Sequence, residues 1–109
     1  GIDALIGGHP HVVQPVDLLT SSDNSHQMIC LYSVGNHVSN QHREFMDSMP
    51  SGHTEDGLMS RLTIEKDHLG HVSLIAADVI PTWVYRTPNS THPEYFIFSL
   101  ENEDIVSKK

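Results

Sequence analysis

The segment Gly8-His9-Pro10-His11 is where residue types and spacing point most directly to chemistry. Two histidines at positions i and i+2 of an extended backbone point to the same side. Their imidazoles then reach one metal ion or two adjacent ions. Gly7 and Gly8 let the backbone approach such a site closely, and Pro10 stiffens the loop. The alternative is a surface loop that holds two histidines by chance, because short motifs carry a false-positive risk.

The elements around this loop are predicted to be extended. Seven segments are apolar or alternate in polarity, which favours strands: residues 2–6, 12–19, 27–34, 58–66, 71–80, 82–86 and 95–100. Pro15 makes the second an edge strand or an extended segment. The fourth and fifth are predicted to form a hairpin, and Pro81 is expected to end the fifth. Residues 39–56 are predicted to be a long loop with one helical turn at residues 43–46. No long amphipathic helix is visible, so the chain is predicted to be mainly β.

Three separated segments resemble the CapA family of bacterial capsule and poly-γ-glutamate synthesis proteins, in the calcineurin-like metallophosphoesterase superfamily. They are residues 1–15, which read GIDALIGGHPHVVQP, residues 31–36 and residues 79–84. The resemblance implies an α/β fold, of which this chain is a mainly β fragment of a metallophosphatase-like layered α/β sandwich, with few helices. It covers residues 1–86 as the C-terminal part of the domain. Residues 87–109 are expected to be a C-terminal extension whose last residues are disordered.

The same resemblance implies a metal site. His9 and His11 lie where the family places its final histidine ligands, and the site would hold divalent ions (Mn, Zn or Fe), two of them in the full-length protein. Gln14 and Asn36 would orient a ligand or line the cleft. The remaining ligands belong to motifs nearer the N-terminus in this superfamily, so the chain alone is expected to be inactive. Gly35-Asn36-His37 follows the histidine loop, whereas the G-N-H motif of the superfamily precedes it. We therefore interpret the likeness to that motif as a chance one.

The function implied is that of the C-terminal part of a capsule or poly-γ-glutamate biosynthesis protein, a metal-dependent phosphoesterase-like hydrolase at the extracytoplasmic face of the cell envelope. The alternative is a non-catalytic component that keeps the fold and serves polymer assembly by binding. The expected partners are the N-terminal part of the same domain and capsule-synthesis membrane proteins. A fragment with exposed apolar surface is also expected to self-associate.

The composition of the chain argues against several classes of protein. The chain has 14 Asp and Glu against 6 Lys and Arg, a net charge of −8, which makes it a poor binder of nucleic-acid backbone. Its single cysteine, Cys30, excludes an internal disulfide and is expected to be buried and inert, and Trp83 is expected to pack against the sheet. The other ionisable groups lack a metal-like spacing and are predicted to be solvated: His26, His42, His53, His68, His71, His92, Asp23, Glu55, Asp56, Glu65 and Asp67.

Overall fold

A computed structural model describes residues 1–42, 51–88 and 90–109 of the chain. Two three-stranded sheets form. The first contains β1 (Ala4–Ile6), β2 (Val16–Thr20) and β3 (Gln27–Leu31), and the second contains β4 (Asp56–Lys66), β5 (Val72–Arg86) and β6 (Tyr95–Ser99). A 3-10 turn at His53–Glu55 precedes β4, and one short helix, α1 (Glu103–Val106), follows β6. The mainly β prediction is confirmed, while the metallophosphatase-like layering stays a prediction.

β3 lies at the centre of the first sheet, parallel to β1 and antiparallel to β2. A continuous apolar run is typical of a central strand, and Ile29, Cys30 and Leu31 are accordingly buried. The expectation that Cys30 is buried is confirmed. β2 is an edge strand, one of the two structures predicted for this segment, and it begins directly after Pro15. The strand predicted at residues 12–19 is shorter than expected, because residues 9–12 form a turn and bend.

β4 and β5 form the predicted hairpin, which is closed by the turn at residues 67–71. The expectation that Pro81 ends β5 is wrong, since the strand continues to Arg86. Proline is tolerated there because its nitrogen faces β6, on the same side as its carbonyl, which accepts from the amide of Leu100 at 2.8 Å. β6 ends at Ser99, so no ladder bond requires a donor at Pro81.

The two sheets are joined where the segment after β3 meets the start of β4. Gly35 and Gly57 form an isolated antiparallel bridge, and the amide of Leu58 donates to the carbonyl of Val34 at 2.7 Å. Gly35 has a φ of 69°, and a side chain there would overlap the carbonyl oxygen of Asp56. This close contact requires glycine. β4 therefore begins at residue 56, inside the predicted loop, while the helical turn predicted at residues 43–46 lies outside the described residues.

The C-terminal segment contains regular structure. β6 pairs with β5, which confirms the strand predicted at residues 95–100. The side chain of Asn102 caps α1 by accepting from the amide of Asp104 at 3.0 Å. None of the residues of α1 is buried. No helix in the described part of the chain is long and apolar enough to cross a membrane.

Candidate functional site

The histidine loop begins at the carboxyl end of β1, where Gly7 is clamped against the chain that follows β3. The amide of Gly7 donates to the carbonyl of Leu31 at 2.8 Å, and its own carbonyl accepts from the amide of Val34 at 2.9 Å. A side chain at Gly7 would overlap the carbonyl oxygen of Tyr32, whereas one at Gly8 would meet open space. Gly7 is thus needed for a close approach to the backbone of Tyr32, while the predicted close approach of the two glycines to a metal site stays a prediction.

His9 and His11 lie in a turn. His11 has a φ of 59°, in the left-handed region, and its amide donates to the carbonyl of Gly8 at 3.2 Å. The premise that an extended backbone aligns the two imidazoles is therefore wrong, because alternation applies to strands and not to a reversing chain. Both side chains are exposed, and their role as metal ligands stays a prediction.

Asn36 holds the ring of His11. Its Oδ1 lies 2.9 Å from Nδ1 of His11, and its Nδ2 donates to the backbone carbonyls of His11 at 3.2 Å and of Thr54 at 2.8 Å. The two carbonyls fix which side of the amide is the donor, so Oδ1 accepts and Nδ1 of a neutral His11 carries the proton. Nε2 of His11 then carries a free lone pair. A neutral imidazole binds a metal through such a nitrogen.

The side chain of Asn36 joins three parts of the chain. Besides its contacts with His11 and Thr54, its Nδ2 lies 3.1 Å from Oε1 of Gln41, so three acceptors share the two N–H groups of this amide. Asn36 is 7% exposed, and its backbone amide donates to the carbonyl of Asp56 at 3.3 Å. The structure thus brings Asn36 to the histidine loop, as expected from the neighbouring strands.

The other two predicted site residues are less constrained. His9 is exposed at the tip of the turn. Gln14 is also exposed, and its backbone amide donates to the carbonyl of Ser33 at 3.0 Å. That bond fixes the backbone after the loop, so Gln14 lies near the site without being brought to His11 by its side chain.

A buried carboxylate lies next to the residues that contact Asn36. Glu55 is 1% exposed, its Oε1 lies 3.2 Å from Nε2 of His42, and its Oε2 accepts from the indole nitrogen of Trp83 at 3.2 Å. The prediction that Glu55 and His42 are solvated is wrong, whereas the packing of Trp83 is confirmed. No local pattern marks Glu55, because its partners lie on a distant strand and in the loop before the 3-10 turn. A buried carboxylate requires such partners.

A second pair of ionisable side chains lines a cavity beside the loop. Nδ1 of His53 lies 3.3 Å from Oδ2 of Asp56, and Oδ1 of Asp56 lies 2.7 Å from Nζ of Lys109. The cavity has a volume of about 280 Å³ and is lined by His53 and Asp56 together with Val12 and Val13. The prediction that Asp56 is freely solvated is wrong, since its side chain is largely covered and paired.

Two carboxylates with lowered pKa values serve turns. Hydrogen bonds, first from the hydroxyl of Ser21 at 2.6 Å and then from Ser25, lower the pKa of Asp23 to about 2. Hydrogen bonding, first from the backbone amide of His71, lowers the pKa of Asp67. Each carboxylate satisfies donors of its own turn, so neither shift indicates a catalytic group.

The described residues offer an incomplete donor set for a metal. No group of three or more His, Cys, Asp or Glu side chains in the described ranges is arranged to hold an ion. Of the expected metals, two imidazoles suit Zn and Fe, and the His11–Asn36 bond presents one neutral imidazole in the tautomer that binds a metal. The described residues therefore offer two imidazoles and no complete donor set.

Comparison with known proteins gives one match. Residues 1–41 match the family model described as bacterial capsule synthesis protein PGA_cap. The matched range contains the histidine loop, Gln14 and Asn36. No curated protein and no solved structure matches the chain. The resemblance to the bacterial capsule synthesis family is thus confirmed over residues 1–41.

Proposed function

We propose that this chain is the C-terminal part of a bacterial capsule synthesis protein and that it contributes His9 and His11 to a metal site. The observation that carries the proposal is the bond of 2.9 Å between Oδ1 of Asn36 and Nδ1 of His11. Histidines that bind metals almost always donate their other ring N–H to an oxygen acceptor, which fixes the ring and its tautomer. Both residues lie inside the range that matches the capsule synthesis family.

In this proposal the chain supplies two imidazoles and the means of holding them. Asn36 orients His11, and Gly7 fixes the start of the loop against Leu31 and Tyr32. The preceding part of the domain supplies the other ligands and covers the first sheet. A divalent ion bound there supplies Lewis-acid polarisation of a substrate oxygen and an activated water. The activity is then that of a metal-dependent hydrolase of phosphoester-like bonds.

The setting proposed is the extracytoplasmic face of the cell envelope, with capsule-synthesis membrane proteins as partners. Poly-γ-glutamate is the polymer that the CapA resemblance implies. A chain with a net charge of −8 repels such a polyanion. Bound cations or the preceding part of the domain must therefore offset this charge if the polymer itself is bound.

The ligand assignment is tested on the longer polypeptide that contains this chain, purified with its native metal. Replacing His9 and His11 by alanine should lower the bound Mn, Zn or Fe by at least about tenfold, measured by plasma mass spectrometry. The matched control replaces His68 and His71, two exposed histidines of the hairpin turn, and should leave the metal content unchanged. Equal metal content in all three proteins would refute the assignment.

A second measurement separates the hydrolase from the non-catalytic alternative. Metal-dependent hydrolysis of a model phosphodiester by the longer polypeptide, abolished with His9 and His11 replaced, supports the hydrolase. Metal binding without hydrolysis of phosphoesters supports a component that serves assembly by binding. The 109-residue chain alone is expected to be inactive, since its described residues bring together no group of three or more possible metal ligands.

A further inference from the structure

The cavity of about 280 Å³ beside the histidine loop has two chemically different walls. Val12 and Val13 form one wall, which is apolar and directly follows His11 in the chain. His53 and Asp56 form the other wall, which carries ionisable groups. A ligand in this cavity would therefore contact the continuation of the histidine loop and an imidazole at the same time.

The side chain of Asn36 keeps the two walls next to each other. Its Nδ2 lies 3.2 Å from the carbonyl oxygen of His11 and 2.8 Å from that of Thr54. These two oxygens are therefore no more than about 6.0 Å apart, the total of the two distances. Thr54 directly follows His53, so the backbone next to His53 is held at the histidine loop.

The 3-10 turn that contains His53 is anchored by its other two residues. Thr54 and Glu55 are 3% and 1% exposed, and the amide of Glu55 donates to the carbonyl of Gly52 at 3.0 Å. The side chain of His53 is instead 67% exposed. A firmly held turn thus presents one imidazole to the cavity and to solvent.

Asp56 holds the ring of His53. Its Oδ2 lies 3.3 Å from Nδ1 of His53, and its Oδ1 lies 2.7 Å from Nζ of Lys109. An ionised carboxylate only accepts hydrogen bonds, so Nδ1 of His53 carries a proton and Nε2 is left to gain or lose one. Hydrolases use a carboxylate in this way to fix the orientation and the tautomer of a histidine that transfers protons.

Hydrolysis of a phosphoester requires a group of this kind. A bond forms from a water oxygen to phosphorus, the bond from phosphorus to the alcohol oxygen breaks, and that alcohol oxygen takes up a proton. Metal-ion chemistry accounts for the attacking water, which leaves the departing oxygen to be protonated. His53 is not a further metal ligand in this geometry, since the described residues contain no group of three possible ligands arranged around one point.

We infer that His53 is the general acid of the site, an inference that rests on the hydrolase proposed above. Protonated His53 gives the proton on Nε2 to the departing alcohol oxygen, while Nδ1 remains bonded to Asp56. The neutral imidazole then regains a proton from solvent, to which it is exposed. Asp56 is a positioning residue, because it acts through the ring of His53.

The cavity also indicates the class of substrate. A general acid matters most where the departing alcohol is weakly acidic and therefore a poor leaving group. The valine wall of the cavity suits the carbon skeleton of such an alcohol. Its volume of about 280 Å³ is at the lower end of ligand sites, which span about 300–1,000 Å³. The leaving group that fits is therefore a small alcohol or one unit of a longer polymer.

The test compares two esters on the longer polypeptide that contains this chain, purified with its native metal. Methyl p-nitrophenyl phosphate releases a phenolate that needs little protonation, and methyl phenyl phosphate releases a more basic one. His53→Gln keeps a polar side chain but transfers no proton. It should lower kcat/KM for the phenyl ester by about 100-fold or more, and for the p-nitrophenyl ester by less than about tenfold. The matched control, His68→Gln, changes an exposed histidine of the hairpin turn and should alter neither rate.

A second variant and a second measurement complete the test. Asp56→Asn should lower the rates with the same preference for the phenyl ester, but less than His53→Gln does. Bound metal, measured by plasma mass spectrometry, should be unchanged in His53→Gln, unlike in the protein with His9 and His11 replaced. Metal loss in His53→Gln would overturn the inference, because His53 would then be a ligand.

The rates separate this inference from the proposed function. If the wild-type protein hydrolyses both esters and His53→Gln affects them equally, or affects neither, His53 is not the general acid and the hydrolase still stands. If the wild-type protein binds metal but hydrolyses neither ester, the hydrolase is refuted and the inference falls with it.

Discussion

Replacing Asn36 by alanine tests the link between the histidine loop and the joint of the two sheets. The substitution removes the acceptor for Nδ1 of His11 and the donor to the carbonyls of His11 and Thr54. Thr54 is 3% exposed, so water does not readily replace the lost donor. Leaving a buried acceptor unsatisfied costs about 1–3 kcal/mol, and each more accessible bond contributes about 0.5–1.5 kcal/mol. We expect a total loss of about 3 kcal/mol in the free energy of unfolding.

The measurement is urea unfolding followed by the fluorescence of Trp83, the single tryptophan, which is buried. A lower midpoint at an unchanged slope reports the loss of stability. The control is Asn40→Ala, an exposed position with one hydrogen bond of 2.6 Å from the hydroxyl of Tyr95, which should cost no more than about 1 kcal/mol.

A double-mutant cycle isolates the bond that matters for the site. Combining Asn36→Ala with His11→Ala should show a coupling of about 1 kcal/mol, since the two side chains interact directly. If Asn36→Ala costs no more than Asn40→Ala, Asn36 does not hold the joint together. If its effect and that of His11→Ala are simply additive, Asn36 does not hold the imidazole.

Two further predictions concern the joint and a turn. Gly35→Ala should destabilise the chain far more than Gly70→Ala, because both have a positive φ but only at Gly35 would the new methyl group overlap the carbonyl of Asp56. Thermal unfolding of both variants measures the difference, and equal effects would contradict the close contact. The pKa of Asp23, about 2, should rise in Ser21→Ala, as followed by carboxyl NMR. Because the folded pKa lies below the ordinary value of 3.8 for aspartate, this contribution to stability is present above pH 3.8 and is lost as the pH falls through 2. An unchanged pKa in Ser21→Ala would contradict the role of the hydroxyl.

The local pattern of apolar, polar and turn residues was sufficient to predict most of the strands. The apolar run of β3, the alternation in β4 and β5, and the turn residues between them indicate their structures because these signals act within a few residues. Pro81 shows the limit of such reasoning. Its effect depends on whether a neighbouring strand needs its missing N–H, and that neighbour, β6, is contributed by residues much later in the chain.

In the candidate site too, some features follow from the local sequence and others depend on distant segments. The Gly-His-Pro-His motif is visible in the sequence, and the family match over residues 1–41 agrees with it. The left-handed backbone of His11 is not visible there, because it depends on how the loop closes on the chain after β3. Glu55 and Asp56 looked like solvated charges because their neighbours in the chain are polar. Their actual partners come from other parts of the chain.

The sequence by itself determined the mainly β character of the chain, its hairpin and the two histidines that could do chemistry, since each depends on adjacent residues. Only the tertiary structure decided that Asn36 fixes the ring of His11 and that Glu55 is buried against Trp83. Each of these facts depends on which distant segments meet. Pairing between segments minimises the free energy of the whole fold, and no local pattern specifies it.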